Sequence, residues 1–118
     1  MRVTKFVFVV LLTLLVASAY CYDKSKVDRY IREAEYYTKL AETYDRDATY
    51  YSRQAQKHMK HAEFYSKRGN DSKANIFLRW AKDATDKASL KTRKAKEARS
   101  KAQLRMRWAE EEMRKKAK

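Results

Sequence analysis

Alanine recurs at every seventh position in both halves of this chain, at Ala34, Ala41, Ala48, Ala55 and Ala62, and again at Ala74, Ala81, Ala88, Ala95, Ala102 and Ala109. A strict seven is the period of helices that wind around one another in a left-handed supercoil. No proline interrupts either series, and the single glycine, Gly69, lies between them. With so much Ala, Glu, Lys, Arg and Gln, the chain favours helix almost throughout. The one strong breaker cluster is Gly69-Asn70-Asp71-Ser72. Gly69 suits the left-handed residue after a helix end, and Asn70, Asp71 or Ser72 can cap the next start. The pattern predicts a helix over 22–68, a turn over 69–72 and a second helix over 73–117, each about 65 Å long at the α-helical rise.

The two series also fit each other. Three residues after Val27 and after each alanine of the first series stand Tyr30, Tyr37, Tyr44, Tyr51, His58 and Tyr65. A fold centred between Gly69 and Asn70 sets Tyr65 opposite Ala74, His58 opposite Ala81, and Tyr51 opposite Ala88. It continues with Tyr44 and Ala95, Tyr37 and Ala102, and Tyr30 and Ala109. Large against small at each layer fills the space between helices without voids. The expected fold is all-α: an antiparallel two-helix coiled-coil hairpin with an alanine/tyrosine heptad seam.

The other half of that seam is less apolar. Ala62, Ala55 and Ala41 oppose Phe77, Ala84 and Ala98, but Ala48, Ala34 and Val27 oppose Lys91, Arg105 and Glu112. The stems of such charged residues can pack while their heads reach water. Alanine buries little area, so the core is thin at about 25 cal/mol per Å². Off the seam lie two apolar triplets of fourteen-residue spacing, Tyr36, Tyr50 and Phe64, then Ile76, Leu90 and Leu104, with Trp80 and Trp108 nearby. This second stripe is a candidate partner or self-association surface, through which hairpins would pair as homo-oligomers into a four-helix bundle.

The first residues have the layout of a secretory signal peptide: basic Arg2 and Lys5, an apolar run from Phe6 to Val16, and small Ala17-Ser18-Ala19. The expected signal is 1–19, with a cut after 21 as the alternative. No later stretch is apolar enough to span a membrane, so the expected product is secreted and extracellular. The only cysteine is Cys21, so no internal disulfide can support so small an exported domain.

Charge is uneven. Residues 22–71 hold 11 basic and 9 acidic side chains, whereas residues 72–118 hold 16 and 6. The second helix carries a related fourteen-residue unit twice, RWAKDATDKASLKT and RKAKEARSKAQLRM. Between Lys87 and Arg107 the only acid is Glu97. The cations of that run, Lys87, Lys91, Arg93, Lys94, Lys96, Arg99, Lys101, Arg105 and Arg107, are candidate polyanion-binding residues. A field of this sign attracts anionic polymers or surfaces, whether sulfated glycosaminoglycan, nucleic acid or acidic membrane. No base-reading signature accompanies the run, so contacts to nucleic acid would go mainly to phosphates.

Other motifs carry less. His58 and His61 have a spacing that can hold a metal, but no third ligand is fixed nearby, and His58 replaces a tyrosine of the repeat; no metal or cofactor is expected. Asn70-Asp71-Ser72 is an N-glycosylation sequon at the predicted turn. No phosphate loop, nucleophile elbow or activated histidine is present, so neither enzymatic activity nor a small-molecule substrate is expected. Alanine at every seventh position resembles the alanine-rich coiled coils of bacterial outer-membrane lipoproteins and the coiled-coil silks and glues of insects. The lipoprotein signal needs a small residue before its cysteine, where this chain has Tyr20 before Cys21. The expected function is therefore binding of an anionic extracellular target by a non-enzymatic secreted protein, such as a salivary, venom, seminal or defence effector. The alternative is a structural coiled-coil component of a silk, glue or coat.

Overall fold

The computed structural model describes residues 22–115. The expected signal peptide, Cys21 and the last residues of the expected second helix lie outside them. Helix α1 spans Lys24–Lys67 and helix α2 spans Asp71–Lys115, forming an all-α helical hairpin.

Side-chain caps set the helix limits. The Lys26 N–H donates to Asp23 Oδ1 at 3.2 Å, so Asp23 caps α1. At the other end Gly69 has φ 75°, where a side chain would be strained. There the Gly69 N–H donates to the Ser66 carbonyl at 3.1 Å, and the Asn70 N–H to the Tyr65 carbonyl at 2.9 Å. This pair of bonds is a Schellman stop. Asn70 then starts α2 as well: its Oδ1 accepts from the Lys73 N–H at 3.2 Å and its carbonyl from the Ala74 N–H at 3.1 Å. Because Asn70 is the cap rather than Ser72, α2 begins at Asp71, whose carboxylate lies at the positive end of the helix dipole.

The hairpin divides into two units. One is Glu42–Lys96, which holds the turn; the other consists of the segments up to Ala41 and from Glu97. In the turn unit the buried side chains are Ala48, Ala55 and Ala62 of α1 and Ala74, Ala81, Ala84, Ala88 and Ala95 of α2. In the other unit the buried apolar ones are Val27, Ala34 and Ala41 against Ala98, Ala102 and Ala109, and Thr38 and Glu112 are buried as well. Both alanine series thus form the seam. Hydroxyls beside it are satisfied locally: Thr38, Thr85 and Thr92 each donate to the carbonyl four residues earlier, at 2.8–2.9 Å.

The charged seam positions of α2 have partners of opposite sign on α1. Lys91 Nζ is 3.6 Å from an Asp47 oxygen. The Arg105 Nε–H donates to Glu33 Oε2 at 2.6 Å, and Lys26 Nζ is 3.7 Å from Glu112. Lys26, Glu33 and Asp47 immediately precede Val27, Ala34 and Ala48, so these pairs are tied to the heptad. Sliding one helix by seven residues would bring Lys26 to Arg105 or Glu33 to Glu112, both like-charged encounters. The ion pairs therefore select one register.

Charge reversal tests this. Glu33→Arg is expected to lower stability by about 1–2 kcal/mol, and Glu33→Arg with Arg105→Glu to restore most of it, as read by thermal unfolding.

Candidate anion-binding surface

The residue before each alanine of the heptad series Ala74 to Ala109 is Lys73, Trp80, Lys87, Lys94, Lys101 or Trp108. Each covers the aromatic ring opposite. In the turn unit Lys73 Nζ lies 5.2 Å from the Tyr65 ring centre, Lys87 Nζ 5.6 Å from Tyr51, and Lys94 Nζ 5.8 Å from Tyr44. Trp80 meets His58 edge to face at 5.7 Å. In the other unit Lys101 Nζ lies 5.5 Å from Tyr37, and Trp108 meets Tyr30 at 5.6 Å. A cation over a ring face is held by the ring quadrupole while its stem shields the apolar edge.

This arrangement redistributes the nominated cations. Lys87, Lys91, Lys94, Lys101 and Arg105 all lie over rings of the hairpin itself. Lys91 shares Tyr44 at 5.4 Å, and the Arg105 guanidinium lies 4.5 Å from the Trp108 ring centre and 5.4 Å from that of Tyr37. Arg99 is half-buried and has an interaction of its own. Arg93, Lys96 and Arg107 are exposed. The run from Lys87 to Arg107 is thus two populations rather than one stripe.

Two of the exposed cations border a groove in the turn unit. Its cavity volume is about 870 Å³, and its floor is Ser52, Ala55, Thr85, Ala88, Ser89 and Thr92. Lys60 and Gln56 of α1 and Arg93 and Lys96 of α2 line it too, with Met59. A second hollow of about 510 Å³ shares Ser52, Gln56 and Thr92 with it and adds Arg53, Thr49 and Asp45. Four positions after Ala48, Ala81 and Ala88 stand the short side chains Ser52, Thr85 and Thr92, which leave a hollow above the seam, whereas Met59, four after Ala55, lines it. No carboxylate lines the larger hollow. Lys60, Arg93 and Lys96 make no ion pair among the described residues.

No family model, curated protein or solved structure matches the chain. The site is therefore read from its own chemistry: hydroxyls below, three cations at the sides, and room for an extended anion.

The apolar candidates face elsewhere. Tyr36 and Tyr50 are 61% and 57% exposed, and Phe64, Ile76, Trp80 and Leu90 are exposed as well. Leu104 and Trp108 are half-buried. Tyr36, Tyr50 and Phe64 each stand edge-on to the seam ring that follows in sequence, at 5.2–5.3 Å. Met59 and Leu78 are exposed apolar residues beyond that set. Among the described residues no helix is long and apolar enough to cross a membrane.

The histidines belong to an aromatic cluster beside the turn. His58 meets Phe77 at 6.3 Å and Trp80 at 5.7 Å, those two meet each other at 5.1 Å, and His61 meets Phe77 at 5.0 Å. His58 Nδ1 is buried without a hydrogen-bond partner. Among the described residues no group of three metal-ligating side chains forms. Asn70 is exposed at the turn, its Oδ1 engaged in the cap.

Sequence reasoning missed Lys60 and the hydroxyl floor. The signal was present in the small residues four positions after seam alanines, which the large-against-small rule does not inspect.

Two measurements probe the seam edges. Replacing Tyr51 by Leu and Lys87 by Gln, singly and together, is expected to give a coupling energy of about 0.5–1 kcal/mol. His58→Tyr, which restores the repeat and removes the orphaned nitrogen, is expected to raise stability by about 1 kcal/mol in denaturant unfolding.

Proposed function

We propose that the protein is a secreted, non-enzymatic module that binds an extended sulfated polysaccharide along the groove of its turn unit. The observation that carries this reading is the groove bordered by Lys60, Arg93 and Lys96, with no carboxylate among its lining residues. Sulfate groups accept charge-assisted hydrogen bonds from such cations, and the serine and threonine oxygens below suit the hydroxyls between sulfates. Among polyanions, sulfated carbohydrate is favoured over single-stranded nucleic acid, because binders of the latter stack bases on aromatic side chains. The groove lining contains none; the exposed rings are on the other side. An acidic membrane surface is disfavoured because Met59 is the one large apolar side chain in that lining.

The other cations of α2 play a supporting part. Those over tyrosine rings contribute to the long-range positive field, which speeds encounter, but their heads are not aimed at a ligand. The secretory layout of the first residues supports an extracellular target.

Heparin affinity tests the assignment with a charge-matched control. Arg93→Gln with Lys96→Gln is expected to weaken binding about tenfold near 0.1 M salt, and to lower the salt slope by about two. Lys87→Gln with Lys101→Gln removes the same charge from the rings and is expected to weaken binding by much less. Equal losses would reduce the reading to a diffuse electrostatic effect. Low-salt elution unchanged by either pair, with salt-resistant sedimentation as large polymers, would favour the structural coiled-coil component instead.

A further inference from the structure

The exposed rings of the turn unit project from the side away from the groove. Ser52 stands two positions after Tyr50, and Thr92 two positions after Leu90, which is roughly half a helical turn in each case. Three levels follow one another along this face. Tyr50 of α1 stands near the height of Leu90 of α2, Lys57 near Asp83, and Phe64 near Ile76. The observed cross-seam pairs Tyr51 with Lys87, His58 with Trp80, and Tyr65 with Phe77 fix these heights. The order is apolar, charged, apolar. Tyr50, Trp80 and Asp83 line one hollow of about 250 Å³ on this face. Lys57 and Asp83 make no ion pair among the described residues, although their charges are opposite.

We infer that a second copy of this chain covers the face, related by a two-fold axis running along the hairpin of the turn unit. That axis preserves height and exchanges helices, so α1 of one copy lies against α2 of the other. Tyr50 then meets the partner's Leu90, Lys57 meets the partner's Asp83, and Phe64 meets the partner's Ile76. Every level is matched: an aromatic on an aliphatic, a cation on an anion, an aromatic on an aliphatic. A two-fold axis across the hairpin would instead set like helices together with height reversed, so that Tyr50 met its own copy or the partner's Phe64, according to where the axis crosses, and Lys57 lost Asp83. The charge pair is therefore what chooses the lengthwise axis, since an isologous interface must be self-complementary at each level. Phe64 lies under the Arg68 guanidinium at 4.0 Å, so the Tyr50 level carries most of the apolar burial. The result is a four-helix bundle whose neighbouring helices are all antiparallel, with both grooves on its outer sides.

This inference does not depend on what the groove binds, and sedimentation of the purified chain tests it separately. A dimer is expected at ~50 µM, the micromolar range of a modest interface. Tyr50→Glu is expected to give a monomer of unchanged helix content by circular dichroism. Lys57→Asp is expected to weaken dimerisation at least tenfold, and Lys57→Asp with Asp83→Lys to return it to within about threefold of the native value. In a Cys21→Ser background, Tyr50→Cys with Leu90→Cys is expected to form covalent dimers on oxidation, whereas Tyr50→Cys alone is not. A native monomer, or a dimer indifferent to the Lys57 reversal, would overturn the inference. So would efficient crosslinking by Tyr50→Cys alone, which marks the reversed axis, or loss of the dimer on Ser52→Glu, which marks the groove face.

Discussion

Close approach of two helices along alanine is the constraint on which the rest depends. Alanine once per heptad on each helix allows the backbones near one another, but contributes little apolar area. Something else must cover the seam. On one side the cover is long: the six residues before the α2 alanines reach across to aromatic rings, and Lys26, Glu33 and Asp47 reach to seam charges. On the other side, in the turn unit, Ser52, Thr85 and Thr92 are too short to cover it, and a groove results. One spacing thus produces two different faces.

The basic character of the chain has to be read through this geometry. The net charge of +14 comes mainly from residues 72–118. Much of the charge on α2 is placed over tyrosines or beside acids of α1. A lysine over a ring still carries its charge, but its rotamer is restricted and its apolar stem is in use. Cations available for a ligand are those off the seam edge. The functional reading rests on Lys60, Arg93 and Lys96 for this reason, and not on the density of lysine along the sequence.

Much of the fold was legible in the sequence because each local signal had a single meaning. Seven-residue alanine with no proline meant supercoiled helices, and one glycine beside capping residues meant one turn. The tyrosines were also readable as the large half of the seam. What was not legible was the role of each residue beside the seam. Placing Tyr44 opposite Ala95 accounts for volume, yet Lys94 is what covers the ring, and that depends on side-chain reach rather than on period. Lys91, Arg105 and Glu112 looked like defects in the seam, whereas their α1 partners make them register marks. The groove escaped because it is defined by short side chains, and an absence of bulk leaves no motif.

The positions of those register marks follow from chain connectivity. Asn70 ends the stop of α1 and caps α2, so no spare residue lies between the helices. Close to the turn, covalent geometry alone fixes which residues face one another, and the layers there are aromatic: Tyr65, Phe77, His58 and Trp80. With increasing chain separation a slip of one heptad becomes easier, because an alanine layer looks the same after seven residues. The ion pairs occur there, at Asp47 with Lys91, Glu33 with Arg105 and Lys26 with Glu112. Partly exposed ion pairs add little stability, so their value lies in what they forbid. Aromatic ring contacts near the turn supply cohesion, and charge farther along supplies identity to layers that alanine leaves interchangeable.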